Sequence, residues 1–156
     1  CGYFGERNHP CRCTPQQIRQ YQGKISGPLL DRIDIHIEVP SVRYRDLAAR
    51  ETGEPSTAIK DRIERAREIQ KRRFAGDETL FNARLSDRQV RTLCHIDEDS
   101  RQLIEMAVDR LGLSARAHTR ILKVARTIAD LEGLPEIRAS HVAEAIQYRS
   151  LDCRLI

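Results

Sequence analysis

The sequence of 156 residues contains no tryptophan and one methionine, and aromatic residues make up only 4% of it. It also lacks long hydrophobic runs, since no stretch approaches the roughly 18 consecutive apolar residues of a membrane-spanning helix. The hydrophobic fraction of 40% and the charged fraction of 32% are typical of a soluble globular protein. The composition therefore predicts a cytoplasmic protein without a membrane partner.

A phosphate-binding loop is also missing. The pattern G-x-x-x-x-G-K-[ST] occurs nowhere in the sequence, so the chain by itself cannot cradle a nucleoside triphosphate in the usual way. The first residue is a cysteine and no signal peptide precedes it, which indicates a piece of a longer protein. The formal net charge of +4 suits an anionic partner such as a nucleotide or nucleic acid.

Three of the five cysteines cluster at the start of the sequence. Cys1, Cys11 and Cys13 lie in CGYFGERNHPCRCT, a loop with glycine and proline of the kind that either holds a metal ion or simply turns. Three thiolates are one short of a closed zinc site, and His9 or a residue preceding Cys1 would supply the fourth ligand. The other two cysteines fall in or beside helical patterns, where we expect ordinary packing residues: Cys94 and Cys153.

The segment SGPLLDRIDIHIEVP, residues 26–40, places an arginine before a predicted strand. Apolar residues alternate with polar ones there, which is the period of a half-buried β-strand. The alternating apolar residues are Ile33, Ile35, Ile37 and Val39. Arg32 precedes them, after a short helical turn over Gly-Pro-Leu-Leu-Asp. Asp31 and Asp34 flank the arginine, and the plain interpretation is a surface ion pair of small energy.

Helical patterns fill most of the remaining sequence. Thr14 followed by Pro15 is a helix-start signature, and this helix should end at Gly23. Residues 41–55 mix charges with glycine and proline and are predicted to be a linker with a short helix, Tyr44 to Arg50. Further helices should start at capping residues, and glycines should end several of them. The expected caps are Ser56 or Thr57, Ser86 and Ser140, two further helices should start at Asp97 and Ser114, and the expected stops are Gly76, Gly112 and Gly133.

The predicted fold class is mainly α. Residues 1–40 form the end of a larger α/β domain with one edge strand, because one strand cannot make a sheet and its partners must lie upstream. Residues 56–156 form a helical bundle beyond the linker. The helix after Ser114 has the widest apolar stripe and should be its central helix.

Arginine and lysine side chains provide further candidate sites. Arg116 lies in the first turn of the expected central helix, where a cation is unfavourable by about 0.3–1 kcal/mol unless an anion is present. A guanidinium and a helix N-terminus together form a good phosphate receptor, although solvent or a nearby carboxylate is the plain alternative. The run Lys71, Arg72 and Arg73 is a candidate DNA contact, and a solvated helix face is its plain alternative.

The segment GPLLDRIDIHIEVP, preceded by CGYFG…CRCTPQQIRQY and followed by LSARAHTRILKVARTIADLEG and HVAEAIQYR, resembles the C-terminal portion of magnesium-chelatase-like AAA+ ATPases of the ComM/YifB type. The resemblance covers nearly the whole chain and is weakest between residues 41 and 85. It implies the end of an AAA+ α/β core followed by a small helical lid domain. It also implies a cysteine upstream of Cys1, which would complete a zinc site of four thiolates.

The resemblance implies a role for two arginines. In this superfamily the ATP site lies between subunits of a ring, usually a hexamer. Arg32 matches the arginine finger, which acts on the nucleotide of the neighbouring subunit. Arg116 matches the second sensor on the lid, with Arg120 in reserve. The full-length protein would need ATP and magnesium, while this chain alone lacks the Walker motifs, should bind neither and should be inactive.

Three functions are open on this basis. The first is an ATPase that remodels DNA, by branch migration in natural transformation. The second is the motor subunit of a true magnesium chelatase, which drives metal insertion into a porphyrin. The third, from another class, is a non-enzymatic helical DNA-binding module that uses the basic helix 60–73.

Overall fold

The computed structural model describes residues 1–6, 9–39, 41–42, 53–74 and 81–149. Seven α-helices occur in these ranges, and the expectation of a mainly α fold is confirmed. The helices are α1 Pro15–Gln22, α2 Gly27–Leu30, α3 Ser56–Arg73, α4 Asp87–Leu93, α5 Glu98–Leu111, α6 Ala115–Leu131 and α7 Ala139–Gln147, with a 3₁₀ turn at Asn82–Arg84. Several predictions fall outside the described residues: the linker helix Tyr44 to Arg50, the stop at Gly76 and the placement of Cys153.

Most helix starts lie where the capping residues predicted them. Thr14 accepts a hydrogen bond from the Gln17 backbone N–H at 3.3 Å, and the Gln17 side chain accepts one from the Thr14 backbone N–H at 2.9 Å. This reciprocal pair satisfies two N–H groups that the first turn leaves without helical partners. At the other end of a helix, Gly112 closes α5 with a φ of 60°, a left-handed conformation that favours glycine.

Two predicted caps are wrong. The N-cap of α3 is Pro55, so Ser56 is already the first helical residue. The N-cap of α7 is Arg138 rather than Ser140, and the Arg138 backbone N–H donates to Nδ1 of His141 at 3.0 Å. The His141 ring thus provides the half of a capping box in which the N3 side chain accepts from the N-cap backbone N–H.

Helix α6 is the centre of the bundle, as its wide apolar stripe predicted. It packs against α3, the 3₁₀ turn, α4 and α7, and α7 packs in turn against α5. Its residues Ile121, Ala125 and Ala129 are fully buried, and so is Val142 of α7. The small alanine side chains allow the neighbouring helices to approach α6 closely, which gives the bundle a continuous core.

A cluster of charged and polar side chains lies inside this bundle. The Asp130 side chain is 0% exposed and binds both Arg73 of α3 and Arg126 of its own helix. Asn82 of the 3₁₀ turn donates to the same carboxylate at 2.7 Å, and Arg126 also donates to the Pro135 carbonyl at 2.7 Å. These contacts join three elements that are distant in the sequence. Burial lowers the pKa of Arg126, and the Asp130 carboxylate opposes that shift.

Cys94 is buried beside this cluster, as expected for a packing residue. Burial raises the pKa of its thiol to about 11, although the nearby arginines act in the opposite direction. The thiol therefore stays protonated at neutral pH, which makes it a poor nucleophile and a poor metal ligand.

The predicted edge strand is not formed, since no β-strand occurs among the described residues. Residues 33–39 carry no ladder hydrogen bonds to a neighbouring strand, because the described chain provides no such neighbour. Apolar and polar side chains still alternate between two faces, but the apolar face is the one exposed to solvent, which is the reverse of what the strand prediction implied. Ile33, Ile35 and Ile37 are 41–65% exposed, while His36 is buried and its backbone N–H donates to the Tyr148 carbonyl at 2.8 Å.

None of the described helices combines the length and the apolar character that crossing a lipid bilayer requires.

Replacing Asp130 by alanine should strongly destabilise the fold. The substitution leaves the Arg73 and Arg126 guanidinium groups without their buried anion, and breaking a buried ion pair typically costs about 3–5 kcal/mol. The free energy of unfolding in urea measures this loss. Glu68→Ala is the matched control, since it breaks the exposed Glu68–Arg72 pair and should change stability by less than about 1 kcal/mol. Equal losses in the two variants would contradict the structural role of the buried pair.

Candidate active site

Arg32 lies in the turn that follows α2, and its side chain is exposed. The guanidinium Nη1 donates to the Pro28 carbonyl at 3.2 Å. Within the described residues Arg32 makes no ion pair, so the expected surface pair with its own flanking aspartates is not formed. The positive charge is therefore exposed, and no carboxylate of the described ranges neutralises it.

The two aspartates are bound by the helical bundle instead. Asp31 accepts a hydrogen bond from the Ser114 hydroxyl at 2.7 Å, and Nη2 of Arg149 lies 3.8 Å from the same carboxylate oxygen. Asp34 binds the guanidinium of Arg120. Both carboxylates next to Arg32 are thus engaged by residues that come much later in the chain.

Arg116 occupies the first turn of α6, where the sequence placed it, and its side chain is 71% exposed. Its Nη1 lies 3.9 Å from Oδ2 of Asp31, at the limit of an ion pair. Because the contact is long and exposed, it contributes little energy and leaves the guanidinium available to another anion.

An open cleft of about 440 Å³ lies beside the start of α6. Arg116, Arg120 and Lys123 line it, together with Asp34 and Asp87. The cleft combines three cations with the partly positive end of a long helix. Such a surface can accept an anionic group the size of a phosphate.

Arg120 makes more contacts within the chain than we expect of a residue that is available to bind a phosphate. Besides its ion pair with Asp34, its Nη1 donates to the backbone carbonyl of Arg32 at 2.7 Å. Both contacts occupy Nη1, and the side chain is only 25% exposed, so less of this guanidinium is accessible to a nucleotide than of Arg116. Of the two candidate sensors, Arg116 is therefore the one whose charge is accessible.

The basic run at the end of α3 does not form one surface. The Arg73 side chain is 15% exposed and binds Asp130 in the interior. Arg72 is exposed and pairs with Glu68 at 3.2 Å, and Lys71 is also exposed. The prediction of a DNA contact here therefore depends on Lys71 and Arg72 alone.

The three early cysteines come together as their spacing suggested. The sulfur atoms of Cys1, Cys11 and Cys13 all lie within 4.8 Å of one another, with Cys1 at 3.5 Å from Cys11 and 3.2 Å from Cys13. In a tetrahedral zinc site with Zn–S bonds of about 2.3 Å, sulfur atoms are about 3.8 Å apart. The ring of His9 packs at a tilt of 43° against Tyr3, with 5.0 Å between the ring centroids, and does not join the cluster.

Sequence reasoning missed one residue of the site, Arg149. Its side chain is 1% exposed, and Nη1 donates to the Ile33 carbonyl at 2.5 Å. No local signal in the sequence indicates this contact, because the two residues are 116 positions apart. An arginine that follows an amphipathic helix is normally interpreted as a charged side chain in solvent.

Comparisons with known proteins agree with this architecture. The family model described as "Magnesium chelatase, subunit ChlI C-terminal" matches residues 53–149, and the one described as "Magnesium chelatase, subunit ChlI" matches residues 1–47. The chain belongs to the magnesium chelatase family, and its mainly helical fold is consistent with the C-terminal lid of a magnesium-chelatase-like AAA+ protein.

Individual relatives are of the ComM/YifB type, as the sequence motifs predicted. The competence protein ComM of Haemophilus influenzae is 41% identical over 150 residues, which cover 96% of this chain and 28% of that protein. The uncharacterized protein YifB of Salmonella typhimurium is 41% identical over 155 residues, or 99% of this chain and 29% of that protein. The chain thus spans less than a third of the length of these relatives.

We propose that the cysteine cluster binds zinc in the full-length protein, with a fourth ligand from residues that precede Cys1. The purified protein should contain stoichiometric zinc, measured by release to a chromogenic chelator after the thiols are modified. Cys11→Ala and Cys13→Ala should lose the metal, whereas the control Cys94→Ala, which changes a buried thiol outside the cluster, should retain it. Full zinc content in Cys13→Ala would contradict the assignment.

Proposed function

We propose that this chain is the C-terminal part of a cytoplasmic AAA+ ATPase that assembles as a hexameric ring, with Arg32 as an arginine finger acting on the neighbouring subunit. The observation that carries the proposal is the state of Arg32, which is exposed while Asp31 and Asp34 are bound by other groups. A finger has to present a free positive charge beyond its own subunit. An arginine neutralised by adjacent carboxylates would be unsuited to that role.

The chemistry of phosphoryl transfer explains why such a charge matters. The transition state spreads negative charge over the γ-phosphate oxygens, and a guanidinium stabilises that charge with a planar set of donors. The neighbouring subunit would provide the phosphate loop and the magnesium ion, neither of which this chain supplies. ATP is therefore hydrolysed only where two subunits meet.

Arg116 is proposed as the second sensor, which contacts the nucleotide of its own subunit. Its exposure and its weak contact with Asp31 support this role, because little energy is lost when the guanidinium turns toward a phosphate. As α6 is the central helix of the bundle, loss of that phosphate would alter how the whole bundle sits on the nucleotide domain.

The proposed target of the motor is DNA, remodelled by branch migration during natural transformation. The 41% identity to a protein named for competence supports this choice. The motor subunit of a magnesium chelatase is the alternative, and the description of the matching family models favours it. A non-enzymatic DNA-binding module is the weakest of the three, because Arg73 of its basic helix is engaged with Asp130.

Replacing Arg32 by alanine in the full-length protein should leave ATP binding nearly intact and lower the turnover of ATP by roughly 10³–10⁵-fold, which is the usual effect of an arginine finger. Nucleotide binding and steady-state hydrolysis measure the two quantities separately. Arg65→Ala is the matched control, since it removes an exposed arginine of α3. Turnover at the wild-type rate in Arg32→Ala would show that this residue is not the finger.

Forked DNA should raise the rate of ATP hydrolysis by the full-length protein, and a porphyrin substrate with magnesium should not. A motor that works on DNA couples its hydrolysis to the polymer, so the rate should depend on the DNA structure and fall with salt as phosphate contacts weaken. Stimulation by the porphyrin alone would favour the chelatase alternative. Duplex binding that is lost in Lys71→Gln and Arg72→Gln, without any hydrolysis, would favour the binding module.

A further inference from the structure

The segment from which Arg32 projects is attached to the helical bundle by polar contacts at four of the five residues 32–36. The Arg32 carbonyl accepts from Arg120 at 2.7 Å, and the Ile33 carbonyl accepts from Arg149 at 2.5 Å. The Asp34 carboxylate binds Arg120, and the His36 backbone N–H donates to the Tyr148 carbonyl. The segment is therefore held along its length by α6 and by the residues that follow α7.

Apolar packing contributes little to this attachment. The isoleucine side chains of the segment are exposed, and the buried apolar side chain nearest to Arg32 is that of Leu30, at the end of α2. Since one leucine buries little apolar area, we attribute most of the positioning of residues 32–36 to the polar contacts. Among them, the contact made by Arg120 is central, because one guanidinium binds both the Arg32 carbonyl and the Asp34 carboxylate.

We infer that Arg120 and Asp34 are positioning residues for Arg32, and that they hold its backbone so that the guanidinium reaches the nucleotide of a neighbouring subunit. This inference rests on the proposed function. It gives Arg120 a different role from that of a sensor, since Arg120 then serves the neighbouring site through Arg32 and not the site of its own subunit.

The expected loss of rate follows from how accurately the guanidinium of Arg32 has to be placed. Catalytic groups act only when they are placed accurately, and a displacement of about 1 Å can cost 10²-fold in rate. Arg120→Gln and Asp34→Asn should each lower the kcat of ATP hydrolysis by about that factor while KM for ATP stays unchanged. A sensor that binds the nucleotide directly would change ATP binding as well.

Rings assembled from two kinds of subunit distinguish a positioning role of Arg120 from a sensor role. Full-length subunits with Arg120→Gln are mixed with subunits whose phosphate loop has been inactivated. At some interfaces of such rings, the Arg120→Gln subunit binds the nucleotide with its intact phosphate loop. The neighbouring subunit there provides a correctly held Arg32, so these interfaces contain a complete site. If Arg120 acts through Arg32, mixing restores hydrolysis; if it serves its own nucleotide, no interface is complete and hydrolysis stays absent.

Four variants accompany this experiment, three of them in the same mixtures. Arg32→Ala should be restored by mixing, and Arg116→Ala, as a sensor in its own subunit, should not. Asp34→Asn provides a second variant of the pair, altered at its more exposed partner, in case Arg120→Gln does not assemble. Arg101→Gln breaks an exposed arginine–glutamate pair of α5 and should hydrolyse ATP at the wild-type rate without mixing.

The outcomes separate this inference from the proposed function. Restoration of Arg120→Gln or Asp34→Asn together with Arg32→Ala supports the positioning role. Restoration of Arg32→Ala alone overturns the inference and leaves the finger in place. Failure to restore Arg32→Ala overturns the finger itself, and with it any positioning of that residue.

Discussion

The attachment of the segment Asp31–His36 to the helical bundle is the constraint on which the candidate site depends. The segment is neither a paired strand nor a buried apolar element, so polar contacts have to hold it. Arg149 is suited to this because its side chain is 1% exposed and cannot exchange its partners for water. A buried guanidinium that donates to a backbone carbonyl fixes the main chain more firmly than an exposed ion pair does.

The charges around this segment do not balance. The segment and the arginines that contact it contain two carboxylates and four guanidinium groups, which is an excess of two positive charges among these residues. The carboxylates belong to Asp31 and Asp34, and the guanidinium groups to Arg32, Arg116, Arg120 and Arg149. The deeper arginines take the carboxylates, so the excess charge resides on the two exposed ones. Each of these two exposed guanidinium groups is open to a separate anion, as the proposed finger and sensor require.

Helix capping and periodicity predicted most of the helical framework. The starts of α1, α4, α5 and α6 followed from local signals, because the capping residue and the N–H groups that it satisfies are close in sequence. The start of α7 did not, since its N-cap is Arg138, and the side chain that bonds there is the ring of His141 three residues later. The alternation in residues 33–39 predicted two faces correctly, but it carried no information on which face would turn inward. That choice depends on contacts with distant residues.

The contacts that define the site were beyond sequence reasoning for the same reason. Arg120 and Asp34 are 86 positions apart, and local patterns do not indicate which arginine meets which carboxylate. The motifs did single out Arg32 and Arg116, because a charged residue at a strand entry or in the first turn of a helix lacks a local explanation. They did not reveal that Asp31 and Asp34 would be engaged elsewhere, which is what leaves Arg32 exposed.

Two arginines contact Asp31, and they differ in burial. The buried one and the exposed one therefore have different roles. Arg149 is enclosed and also binds the Ile33 carbonyl, so its contact with Asp31 is part of the framework. Arg116 approaches the other carboxylate oxygen from solvent at 3.9 Å. Losing that long contact costs little, and Asp31 keeps its contacts with Ser114 and Arg149 without it. The segment that carries Arg32 can therefore stay in place when Arg116 turns away from Asp31.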